Sequence, residues 1–472
     1  MEDLLIPSRY EALSNIKSKD TFRHFIVEVK DAIDEIEEIY SDMCASGQGA
    51  FLILHGKSGS GKTTFLHTLP LFLKNIEIVS IGNDEDIDSN LSTLKLTDRD
   101  FRIIIIEGRE AIKDSSNEEI EKSLHRINNF IRSQRGNNTL VVWLCNKKEM
   151  REKLIELANE IGAESLLGLD KNYMLFNGPK RVKFLNIAMN TVSTLNEGIS
   201  LLNLGITEEQ ATKMIDEDDT IGKYLTKIRK KSQESTKYIK KLVGKEKCKM
   251  WIVVISGNDP IKDVSALTLG SNAFADIERL MVATEANIVE EIKNYSEYIG
   301  KLSSYFECRI LNISTLATTS IIRDYYNSSL ELKLVEKNFE TKKSDKGKEY
   351  LLKSQLGKAI SDEKIGMGKK GAKVGSNTIA SFGKLAEIAK DNDALLNTAI
   401  ADALVDCELI KSYELESNFG EGLKRRTDIL CTTDDIPIRL EIMWRKKTSQ
   451  AEISNYTLTK LFNYAKAIEL LD

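Results

Sequence analysis

Residues 50–64 read AFLILHGKSGSGKTT. A short apolar run ends at His55, and Gly56, Gly61, Lys62 and Thr63 then satisfy G-x-x-x-x-G-K-[ST] without deviation. The residue types follow from the chemistry. Glycines let a loop wrap an anion with its backbone N–H groups turned inward, a lysine reaches the β- and γ-phosphates, and a hydroxyl serves Mg²⁺. The apolar run predicts a buried strand and KTTFLHTLPLFLK a helix offering its positive end to the anion. The expected cradle for a nucleotide is therefore Gly56, Lys57, Ser58, Gly59, Ser60, Gly61, Lys62, Thr63 and Thr64.

A phosphate-binding loop of this type needs a second, acidic strand, and FRIIIIEGRE (101–110) supplies one. Four consecutive isoleucines fit a parallel strand buried on both faces. Glu107 stands at its carboxyl end, where such sheets bind ligands. Glu107 and Thr63 are the expected Mg²⁺ ligands, Glu107 directly or through water, because it is one methylene longer than the usual Asp. A further strand, TLVVWLCN (139–146), ends on Asn146, and the helix before it ends with Arg132 and Arg135. YMLFNGPKRVKFLNIA (173–188) predicts a last core strand followed by a helix. No G-x-G-x-x-G follows a strand, which excludes a dinucleotide-binding sheet.

This order of motifs resembles the P-loop ATPases of the AAA+ and STAND (NACHT-like) class over roughly residues 48–200. Glu107-Gly108-Arg109-Glu110 is similar to their hhhhDGxDE motif. The resemblance implies that Glu110 activates water, that Asn146 orients it, and that Arg135 serves catalysis by reaching a neighbouring subunit's site in an oligomer. A capping cation is the commoner use of an arginine at a helix end. Asp84, Asp86, Asp88 and Asn90 have calcium-loop spacing, but Ser89 and Lys95 stand where Gly and Glu are required, so this is a solvated acidic loop.

Composition sets the outer limits. A chain of 472 residues with 41% hydrophobic and 29% charged residues is ordinary for a folded protein of about three domains. The longest apolar runs are far too short to cross a bilayer. Six cysteines without paired spacing read as reduced cytoplasmic thiols. All four histidines precede residue 126, so any chemistry beyond there runs on carboxylates, lysine or arginine. Residues 222–249 hold eleven Lys and Arg against two Glu, and residues 341–374 ten Lys against four acids. A solvated helix face is the commoner meaning of such runs. The second run contains GMGKKGAKVG and reads as a flexible basic tether.

The middle is ambiguous. MWIVVISGND (250–259) and FECRILNIS (306–314) predict strands of a separate α/β unit or late strands of the first sheet. In the second case Asn258 replaces Asn146 as the water-orienting residue. Arg323 occupies a sensor-2-like place, with a salt bridge as its commoner role.

The C-terminal part reads helix, helix, strand (LIKSYELES), strand (RRTDILCTT), strand (IPIRLEIMW), helix. A hairpin turn centred on Asp434-Asp435 sets Asp428 opposite Glu441 on one face. Two opposed carboxylates are costly unless a cation holds them or solvent covers them. This pattern resembles the restriction-endonuclease-like, PD-(D/E)XK, fold, which implies that Asp428 and Glu441 bind a metal. Position 443 is Met where that motif has lysine; Arg445, Lys446 and Lys460 are the candidates to replace it.

The expected fold class is α/β: a P-loop core of parallel sheet with helices on both faces, a helical lid, and a small C-terminal α+β domain. The expected segments are an N-terminal helical segment (1–47), the core (48–178), the lid (179–249), a further α/β region (250–336), a basic linker (337–376) and a nuclease-like domain (377–472). Together the two resemblances imply a cytoplasmic, oligomeric, Mg²⁺-dependent ATP hydrolase of a prokaryotic phage-defence kind. Its expected partners are ATP, DNA, copies of itself and a nuclease or other defence protein, with no membrane. An ATP-gated nuclease and a STAND-type protein-binding switch are the other two readings.

Overall fold

The computed structural model describes residues 4–9, 12–13, 19–111, 116–167, 172–217, 219–243, 248–365, 375–419 and 426–471. The chain forms two compact units, one of residues 6–191 and 211–229, the other of residues 1–5, 192–210 and 230–472.

The first unit is built on a five-stranded parallel sheet. Its strands are β1 (Ala50–His55), β2 (Ile76–Ile81), β3 (Phe101–Ile106), β4 (Thr139–Cys145) and β5 (Met174–Leu175), in the order β2-β3-β4-β1-β5. Every residue of β3 and β4 is buried, as strands covered on both faces require. Helices α1 (Lys30–Ser46) and α2 (Lys62–Thr68) pack on one face through Ile33, Ile36, Phe65 and Leu66. Helices α3 (Asn117–Ile131) and α4 (Lys148–Ile161) cover the other through Leu124, Ile127, Met150 and Leu154. Ser116 and Glu119 form a reciprocal capping box that starts α3. The helices that follow β5 include α5 (Phe184–Leu195) and α6 (Ile221–Val243), each divided between the two units. The helix expected over KTTFLHTLPLFLK stops at Thr68 and tightens into a 3-10 turn, because Pro70 has no N–H with which to continue it.

The second unit holds a seven-stranded mixed sheet. Its strands are β6 (Lys249–Ser256), β7 (Thr268–Leu269), β8 (Phe274–Ala275), β9 (Arg309–Asn312), β10 (Ser412–Asn418), β11 (Arg426–Thr432) and β12 (Ile438–Arg445), in the order β10-β11-β12-β6-β9-β8-β7. Its helices include α7 (Ser296–Tyr305), α8 (Thr315–Tyr325), α9 (Gly347–Lys353), α10 (Gln355–Ile360), α11 (Ser376–Asp406) and α12 (Gln450–Ala467). Helices α8 to α11 bury one face, with Leu440, Ile442 and Trp444 of β12 turned toward them. Helices α7 and α12 bury the other, with Met443 turned toward them.

This topology corrects the expected segmentation. β12 pairs in parallel with β6 over eight positions, Ile438↔Lys249 to Arg445↔Ser256, so regions 250–336 and 377–472 are one sheet. The reason is the unsatisfied edge. An antiparallel hairpin leaves β12 with a row of unpaired N–H and C=O groups, and β6 takes them up. The linker expected at 337–376 is also partly folded, since α9 and α10 bury Leu351 and Leu356 completely. Its glycine-rich part, 366–374, lies outside the described residues. The two helices expected after it form one helix, α11, kinked at Asn392.

Candidate functional site

The nucleotide-type loop lies between β1 and α2, as expected. Its close approaches explain the glycines. A Cβ on Gly56 would stand 2.3 Å from the Phe176 carbonyl oxygen, and Gly61 has φ +94°. Lys62 is buried; its Nζ donates to the Gly56 carbonyl at 2.8 Å and to Asn146 Oδ1 at 2.6 Å. Burial pulls the Lys62 ammonium below its ordinary pKa, an effect partly offset by the Glu110 carboxylate.

Asn146 is in reach because β4 lies between β1 and β3. Its Nδ2 donates to Glu110 Oε2, and its backbone N–H donates to the Glu110 carbonyl at 3.1 Å. Lys62, Asn146 and Glu110 therefore form one hydrogen-bonded chain at the carboxyl ends of the strands. Glu110 is brought there by a sharp turn at Gly108, φ +74°, where a Cβ would meet Asn83 Cβ at 2.7 Å. The Trp143 indole, donating to the Arg109 carbonyl at 3.1 Å, fixes the same turn.

Glu107 has partners that the sequence reading missed. Its Oε1 is 2.8 Å from His67 Nε2 and accepts from Ser80 Oγ at 3.2 Å. The signal was available in principle: His67 follows Lys62 on the same short helix, and Ser80 lies on the strand beside β3. Among the described residues, Glu107 Oε2 and the Thr63 hydroxyl carry no hydrogen bond. Two oxygen donors with unused lone pairs fit a hard divalent ion that keeps water and phosphate ligands.

Arg135 and Arg132 are not brought to this chain. Arg135 donates to the Ser92 carbonyl and Arg132 to Ser165 Oγ, near the strands' amino ends. Asn258 follows a strand of the other sheet, where it bonds the Thr448 backbone. Arg323 pairs with Glu340 at 3.0 Å. Asp86 of the acidic loop caps a short helix by accepting from the Ser89 N–H at 2.9 Å. The sequence reading also missed a clasp on the loop's outer side. The Gly222 N–H at the start of α6 donates to the Gly59 carbonyl at 2.9 Å, and Gly178, φ +76°, passes so close that a Cβ would lie 2.4 Å from the Ser60 carbonyl oxygen.

The second cluster lies on β11, β12 and α12. The pairing Ile429↔Leu440 carries Asp428 opposite Glu441, as the hairpin predicts. Glu441 is fully buried, with Lys460 Nζ on Oε2 and Tyr464 OH donating to Oε1 at 2.7 Å. Asp428 Oδ2 accepts the Ile442 N–H at 2.6 Å. Burial, with the Glu441 charge beside it, pushes the Asp428 carboxyl up to about 7. The cation beside the two carboxylates is Lys460, delivered by the helix: it pairs with Glu441, and its charge favours the ionised form of Asp428. Arg445 is exposed and donates to its neighbour's carbonyl, so it does not take the lysine's place. Both oxygens of the buried Glu441 are engaged, while Lys460 and Asp428 keep part of their surface exposed. The two expected metal ligands are thus brought together, with the Glu441 oxygens engaged by Lys460 and Tyr464.

The sequence matches no protein-family model, and no curated protein matches it significantly. Among the described residues no helix is long and apolar enough to cross a membrane.

Proposed function

We propose that the chain is a Mg²⁺-dependent ATPase that works as a homo-oligomer and couples ATP hydrolysis to action on DNA or on a partner bound to it. The observation that carries this reading is the Lys62–Asn146–Glu110 chain. It joins the loop lysine to a carboxylate through one amide, at the strand ends where α/β sheets bind ligands. Thr63 and Glu107 would hold Mg²⁺, which when bound would supply positive charge at the phosphates. Lys62 exchanges its bond to the Gly56 carbonyl for a phosphate oxygen and stabilises charge there. Asn146 keeps Glu110 in place, and Glu110 accepts the proton of the attacking water. Arg135, exposed and away from its own chain's loop, is the group that would serve a neighbouring copy.

The AAA+/STAND resemblance supports the same reading. The run α11-β10-β11-β12-α12 keeps the order expected of a restriction-endonuclease-like domain. With Glu441 closed by Lys460 and Tyr464, a DNA-contacting role has more support than metal-dependent cleavage. The test is phosphate release with and without DNA. Wild type is expected to hydrolyse ATP and Lys62→Ala to lose at least about 100-fold, since it removes charge stabilisation at the phosphates. Equal activity in the two proteins would refute the reading.

A further inference from the structure

Helix α6 carries an exposed lysine face beside an exposed aromatic pair. Ser232 and Ile239 are buried, at 4% and 1% exposure, which fixes the helix's inner side. Lys230, Lys237 and Lys241 recur at i, i+7 and i+11 on the opposite side, with Lys231 flanking them. They span about 16 Å at 1.5 Å per residue. Among the described residues none of these four ammonium groups has an acidic partner, whereas Lys227, earlier on the same helix, is held by Asp216 and Asp219. Glu234 is the single acid on the face. Tyr238 lies between Lys231 and Lys241 and is 48% exposed; Tyr298 of α7, 36% exposed, meets it with ring centroids 6.3 Å apart.

We propose that this face binds single-stranded nucleic acid, with lysines on phosphates and the Tyr238–Tyr298 pair against bases. Charge complementarity selects the occupant. About 16 Å of stacked strand carries about five phosphates at 3.4 Å each, a density the lysines match. Lysine is a point charge without the planar fork that reads base edges, so the contact is with backbone and insensitive to sequence. The tyrosines select single strands, because only unpaired bases turn a face outward to stack. This inference deepens the nucleic-acid part of the function proposed above and does not depend on ATP hydrolysis.

The experiment is fluorescence anisotropy of the full chain with labelled oligothymidylate and with a duplex of equal length, over a salt series. Wild type, the triple variant Lys230→Gln/Lys237→Gln/Lys241→Gln, Tyr238→Ala and Lys62→Ala are compared, with thermal melts to confirm folding. The triple variant is expected to bind single strands at least tenfold more weakly, with a slope of log K against log salt flatter by about 2, three contacts at about 0.7 each. Tyr238→Ala is expected to lose about fivefold or more on single strands with the slope kept. Lys62→Ala is expected to bind like wild type while failing to hydrolyse ATP, which separates the two readings. An unchanged slope in the triple variant overturns the lysine contact. Equal wild-type affinity for duplex and single strand, with Tyr238→Ala neutral, overturns the choice of single strands. Binding to phosphatidylserine vesicles but to neither nucleic acid overturns the proposal.

Discussion

Glu441 shows how a single residue's surroundings decide its chemistry. A fully buried carboxylate is tolerated only with its charge compensated, and here Lys460 and Tyr464 do it. Lys460→Met should therefore destabilise the second unit by about 3–5 kcal/mol, because it leaves that charge buried and alone. Adding Glu441→Gln should restore part of the loss, since a neutral amide costs less to bury; urea denaturation of the two variants tests both. Asp428 provides a pH test. Its folded pKa, about 7, lies above the ordinary value of 3.8, so the folded state keeps a proton that the unfolded state has released. This contribution to stability is complete at low pH and declines as pH rises from about 4 to about 7. Asp428→Asn should flatten the corresponding slope of melting temperature against pH; a slope unchanged in the variant would refute the assignment. Residues named by motif were legible in the sequence: Lys62, Glu110 and Asn146 do meet. Lys460 was only one of three candidates, because a residue 19 positions after Glu441 can return its side chain only by tertiary packing.

Elements were legible where periodicity is local. The acidic turn and two apolar strands predict the β11–β12 pairing with its register. The six-residue strands β1 and β3 announce themselves by their apolar runs. What no local pattern shows is a close approach between distant backbones. Gly178 and Gly222 carry no motif, yet they lie against Ser60 and Gly59. Gly178→Ala would force a Cβ into the Ser60 carbonyl and hold a non-glycine residue at φ +76°. We expect a destabilisation of about 1–3 kcal/mol and loss of nucleotide affinity, read by calorimetry with a non-hydrolysable ATP analogue. Wild-type affinity in this variant would mean that the loop does not need that support.

At the scale of the whole molecule, each of the two units draws on separated stretches of chain, a fact that composition cannot reveal. Residues 377–472 look self-sufficient in sequence because they predict three strands and three helices. In the fold, seven of the eight β12 residues are buried and its second edge belongs to β6. Expressed alone, 377–472 should aggregate or show no cooperative melt, whereas 192–472 should fare better; circular dichroism of the two fragments checks this. The same pairing bears on how the protein is made. β6 leaves the ribosome about 190 residues before β12, roughly 10–40 s earlier at usual elongation rates. During that interval one edge of a strand buried in the finished sheet, MWIVVIS, has no partner of its own. The nascent chain would be most exposed to misassembly then, and slowing elongation after residue 256 should lengthen its dependence on chaperones.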